Sequence, residues 1–90
     1  MKDICLLRKG MIAELETVND YRKMQEECES EEAKQIFADI IDEELIHVGE
    51  FMATIDRLCP HQDQKISEGK KEAVEKLSNS LLADTLIYNQ

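Results

Sequence analysis

Apolar residues recur at helical spacing along three stretches of this chain. From Ile36 to Leu58 they fall at Ile36, Phe37, Ile40, Ile41, Val48, Phe51, Met52, Ile55 and Leu58. Counted in heptads, one seam of that stretch reads Ala33, Phe37, Ile40, Glu44, His47, Phe51, Thr54, Leu58. An earlier stretch, from about Asp3 to Cys28, carries a second seam: Ile4, Leu7, Met11, Glu14, Val18, Tyr21, Gln25, Cys28. Between them lies a short acidic break in which Ser30 suits an N-cap and Glu31 and Glu32 suit the first turn of a helix. Pro60 ends the second helix. So short a connection predicts antiparallel neighbours, so the fold class is all-α, a long two-helix hairpin over residues 1–60. The polar run HQDQKISEGK after Pro60 reads as a loop or loosely wound linker. Helical spacing resumes from Lys70 to Tyr88 at Ala73, Val74, Leu77, Leu81, Leu82, Thr85 and Leu86, so residues 61–90 are a linker and a C-terminal helix.

Three seam positions carry a carboxylate or an imidazole where the pattern asks for apolar residues. Glu44 and His47, spaced i, i+3, project from neighbouring positions about 4.5 Å apart along the axis. Glutamate is common in this chain, so Glu-x-x-His can arise by chance; its place on the seam is what singles it out. Glu14, read alone, is equally a partly solvated edge residue. With a turn centred near residue 29, however, Glu14 and Glu44 each lie about 22 Å below it, at one level. A carboxylate and an imidazole in a core stripe are costly unless compensated, and a bound metal ion would compensate them. Gly10 and Gly49 fall at similar heights one turn further on, either as tolerated helix glycines or as a close approach of the two backbones.

Composition narrows the partners. Ninety residues make at most one small domain with little core of its own, and Ala, Leu, Ile, Glu and Lys dominate as in helical proteins. A net charge of −9 argues against nucleic acid or an anionic membrane and suits a protein that handles cations. No apolar run approaches the roughly 20 residues that span a bilayer. The start MKDICLLRKG has no signal-like apolar region, which leads us to expect a cytoplasmic location. Three cysteines without Cys-x-x-Cys do not form a disulfide framework and read as small apolar residues or spectators.

A di-iron carboxylate site in a four-helix bundle takes one Glu from each of two helices and Glu-x-x-His from each of the other two. This chain supplies half of the ligands and half of the helices. A two-fold homodimer would supply the rest and cover the apolar stripes of a lone hairpin. Carboxylates and imidazole together suit iron or zinc.

The motifs Glu14-Leu15-Glu16-Thr17-Val18-Asn19-Asp20-Tyr21 and Asp42-Glu43-Glu44-Leu45-Ile46-His47, with a 30-residue spacing from Glu14 to Glu44, resemble the encapsulated ferritins of the ferritin-like superfamily. The resemblance covers about residues 4 to 60. It implies a ferritin-like four-helix bundle formed on dimerisation, larger homo-oligomers such as decamers, and a ferroxidase centre with two iron ions at each dimer interface. It further implies oxidation of ferrous iron by dioxygen to feed storage inside an encapsulin shell, and hence a place within such a nanocompartment. Carried over by motif, Glu14, Glu44 and His47 are the metal ligands and catalytic residues. Tyr21 matches a tyrosine close to the centre, and Glu16 an acidic residue on the entry route. The chain departs from the pattern at Ala13, where a second acidic entry residue is usual, and at Asp20, which replaces a tryptophan. The C-terminal run SLLADTLIYNQ has no recognisable shell-docking tail. Two other readings stay open: a rubrerythrin-like di-iron oxidoreductase, disfavoured by the lack of a Cys-x-x-Cys module, and a structural helical oligomer in which Glu and His bond each other without metal.

Overall fold

The computed structural model describes the backbone of residues 1–88 and the side chains of residues 1–80. It is all-α, with α1 at Lys2–Glu27, α2 at Glu31–Leu58 and α3 at Pro60–Tyr88, and no strand among the described residues. The chain divides into two compact units, Met1–Cys59 and Pro60–Gln90.

Local chemistry sets the turn of the first unit. At Cys28 the backbone becomes extended, and its N–H donates to Gln25 O at 3.2 Å, closing α1. Ser30, also extended, opens α2: its Oγ accepts from the Ala33 N–H at 3.1 Å, the expected N-cap bond. Glu31 and Glu32 then occupy the first turn, where the helix dipole favours negative charge. Gln25 Nε2 donates to Lys34 O at 2.9 Å and ties the two helices together across the turn. Beyond it the pairs Tyr21 with Phe37, Glu14 with His47, and Gly10 with Phe51 descend one helix while climbing the other. That order makes the pair antiparallel.

Among the described residues five side chains are buried: Ile4 and Val18 from α1, and Ile41, Val48 and Ile55 from α2. On α1 the predicted seam is the observed one, for Ile4, Leu7, Met11, Glu14, Val18, Tyr21, Gln25 and Cys28 are all at least partly shielded. The α2 seam is rotated by one residue from the expectation. Ile41, Val48 and Ile55 point at α1, whereas Ile40, His47, Thr54 and Leu58 stand to one side of that line. Both readings satisfy heptad spacing on a helix apolar on two flanks, and the β-branched trio takes the interior.

In the second unit, the expected linker is helix. Pro60 is the first residue of α3, the one helical position where a missing N–H costs nothing, and it holds Cys59 out of helical geometry. Asp63 lies in the first turn, Lys65 Nζ meets Glu68 Oε2 at 3.1 Å, and Gln, Lys and Glu are good helix formers. One glycine, Gly69, is not enough to break such a run. The polarity of HQDQKISEGK reflects a solvated helix, since every described α3 side chain except Gln62 is exposed, Val74 and Leu77 included. Leu81, Leu82, Thr85 and Leu86 of its expected apolar face lie outside the described side chains.

Candidate metal centre

Glu14 reaches the centre from the middle of α1, and Glu44 and His47 reach it from the middle of α2. His47 Nδ1 lies 3.4 Å from Glu14 Oε1 and 3.6 Å from Glu44 Oε2. Both separations are long for a hydrogen bond but within ion-pair range, and the imidazole is shared between the two carboxylates around a common space. One donor atom from each can be chosen so that all lie within 4.8 Å of one another. Donors around a first-row cation bound at about 2.0–2.2 Å stand at most about 4.4 Å apart, so a rotamer adjustment of a few tenths of an ångström would close the set. Two hard carboxylates and one borderline imidazole fit iron, manganese or zinc better than a soft copper(I) ion.

Burial is graded across the group. The Glu14 and Glu44 side chains are 23% and 18% exposed, and His47 is 47% exposed. The carboxylates are thus partly withdrawn from water while the imidazole lies open to solvent or to a covering chain. The one-residue rotation of the α2 seam places His47 there.

The surroundings are mostly apolar, with the exposed carboxylates of Glu43 and Glu50 beside them. At 100° per residue, Ile36, Ile40, Thr54 and Leu58 share the His47 flank of α2, and Leu6, Gly10, Ala13, Thr17 and Met24 line the matching flank of α1. Leu6, Met24, Ile36 and Leu58 on this face are exposed, Ile36 by 58%. Thr17 and Thr54 donate their hydroxyls to Ala13 O and Glu50 O of their own helices, so neither needs a polar partner from a covering chain. An open cleft of about 290 Å³ beside the group is lined by Leu7, Glu14, His47, Glu50, Phe51 and Thr54. Glu50 was absent from the sequence-derived site; its i+3 spacing from His47 was the available signal.

Other expected participants stand apart within the hairpin. Glu16 is exposed, turned about 200° around α1 from Glu14, and outside the donor group. Tyr21 lies two turns from Glu14 and packs on Phe37, with ring centroids 5.8 Å apart and planes tilted by 56°. Of the paired glycines, a Cβ added at Gly49 would meet nothing within 4 Å, while one added at Gly10 would run into the Phe51 ring; the approach is ring on backbone, not backbone on backbone. Cys5, Cys28 and Cys59 are free thiols; Cys5 is exposed, and Cys28 Sγ donates to Met24 O at 3.2 Å. No described helix is long and apolar enough to cross a membrane.

No family model and no solved structure matches the chain. Over 70 residues, 78% of its length, it is 40% identical to a ferritin-like-encapsulin shell fusion protein of Pyrococcus furiosus. The match takes in 20% of that protein, so the chain spans about a fifth of the relative's length. What the comparison establishes is a sequence link between this helical chain and a protein that joins a ferritin-like part to an encapsulin shell.

Proposed function

We propose that this chain is a ferroxidase of the ferritin-like kind, taking ferrous iron as substrate at a site completed by a second copy of itself. The carrying observation is the convergence of Glu14, Glu44 and His47 within 4.8 Å on a half-open face flanked by exposed apolar residues. One chain offers three donors. Two chains related by a two-fold axis through this face would offer four carboxylates and two imidazoles, a ligand set for two iron ions at each interface. The apolar flanks give the second chain a surface to cover, and the partly exposed His47 would be enclosed by it.

Each residue then has a role. Glu14 and Glu44 supply hard oxygen donors whose negative charge favours the ferric product, so electrons pass from ferrous iron to dioxygen more readily. His47 supplies a neutral nitrogen donor, and its other ring nitrogen is left to find an acceptor outside the ligand set. The similarity to the Pyrococcus fusion protein supports a role next to an encapsulin shell, as cargo or companion of a compartment that stores the oxidised iron. Larger homo-oligomers built from the dimer fit the same reading.

The test is dioxygen-dependent oxidation of ferrous iron by the full chain. Replacing Glu44 or His47 with Ala should abolish it while helical content is retained, because both residues lie outside the five-residue core. His61→Ala, which removes the one other histidine, should leave the rate unchanged. Undiminished oxidation by the His47 variant would end this reading. Parent-like metal-free protein with no oxidation at all would favour the structural oligomer instead.

A further inference from the structure

Gly10 and Phe51 form a contact that neither helix stability nor the ligand set explains. A Cβ placed on Gly10 would lie 2.7 Å from Phe51 Cζ, 2.8 Å from Cε1 and 3.4 Å from Cε2. The Phe51 ring is therefore laid on the bare α1 backbone at a point where any other residue would collide with it. Glycine in the middle of a helix is less favourable than alanine, so this position gives up intrinsic helix stability. Gly49, at a similar height on α2, has open space around it and no comparable demand.

The location of the ring gives the contact a meaning. Phe51 follows Glu44 by one heptad on α2, and Gly10 precedes Glu14 by one turn on α1. Phe51 also lines the cleft of about 290 Å³ that contains Glu14 and His47. We propose that Phe51, seated in the notch left by Gly10, is a positioning residue that forms the apolar end wall of the cation site and keeps the space between Glu14 and His47 open. This rests on the reading of Glu14, Glu44 and His47 as cation ligands.

An alanine at residue 10 forces the ring about 0.7 Å or more to regain ordinary contact. The cleft is the free volume beside the ring, so the displaced ring moves toward Glu14 and His47. There it crowds the donors out of the closure that a cation requires. In the parent, the ring instead shields one end of the site from water, which strengthens the attraction of the carboxylates for a bound cation.

The experiment uses the full chain and cobalt(II), a redox-stable divalent probe whose visible absorption reports its ligand field. Parent, Gly10→Ala, Phe51→Leu and the double variant are titrated by calorimetry and absorption, and the thermal midpoint of each metal-free protein is recorded. Gly10→Ala should weaken cobalt binding by about tenfold or more and alter the spectrum. The double variant, with a smaller side chain over the new methyl group, should recover the affinity and spectrum of Phe51→Leu alone. Metal-free midpoints should not follow the affinities. Parent-like cobalt affinity in Gly10→Ala would overturn the proposal, as would an unrescued loss in the double variant or a midpoint that falls in step with affinity. If the parent binds no cobalt, or His47→Ala binds it as tightly as the parent, the ligand reading fails and takes this inference with it. Tight parent binding with an indifferent Gly10→Ala removes the inference alone.

Discussion

His47 stands on the flank of α2, about half exposed, with two carboxylates 3.4 and 3.6 Å from its Nδ1. Both separations are longer than in a well-formed hydrogen bond, and the imidazole is not enclosed. The residue scale also separates Glu14 from Glu16. Glu14 is part of the donor group, and Glu16 is turned about 200° away on the exposed side of α1. Calorimetric titration with a divalent cation should show Glu14→Ala losing at least a hundredfold in affinity, since one of few anionic donors is removed. Glu16→Ala should bind within about twofold of the parent, well inside the scatter of exposed surface changes. Equal losses in the two variants would mean that general negative charge, and not a ligand set, attracts the cation. Glu14, Glu44 and His47 were legible in the sequence because charged residues on an apolar seam stand out, and because distance from the turn fixes their level. Glu50 and the Gly10 notch were less so. Line-of-sequence spacing finds which residues share a height, but it does not say how far a ring reaches across the groove.

At the scale of elements, the caps and the turn could be read almost residue by residue. Ser30 at the N-cap, acidic residues after it and Pro60 at the far end are local signals, and local interactions decide them. Ser30→Ala removes the hydroxyl that accepts from Ala33 N–H, and should lower stability by about 1 kcal/mol in denaturant unfolding. No loss there would mean that the turn is held mainly by the Gln25 to Lys34 bond. Two features were not legible for the same physical reason. The rotation of the α2 seam and the helicity of residues 61–69 both depend on what lies opposite a face. Ile40 and Ile41 are equally apolar, so periodicity alone leaves the phase of α2 ambiguous by one residue. The polar run after Pro60 has no apolar face to reveal a period, yet its side chains favour helix and Pro60 is well placed to start one.

For the whole molecule, the first unit buries five side chains and leaves Leu6, Met24, Ile36 and Leu58 exposed beside the donor group. Three donor groups within reach of one another and an uncovered apolar face occur together, which is what a chain that completes a site by self-association, as proposed, would present. A divalent cation held between chains would also link metal binding to assembly, since ligands that bind the associated form favour it by mass action. On the proposed reading iron sits between two copies at Glu14, Glu44 and His47. An anomalous-scattering map at the iron edge, from crystals of the full chain grown with ferrous iron, tests it most directly. The expected result is a pair of iron peaks on a two-fold interface, each within bonding distance of carboxylate oxygens of Glu14 and Glu44 and a ring nitrogen of His47. Iron located elsewhere, or a two-fold interface at this face with no iron between its carboxylates, would contradict it.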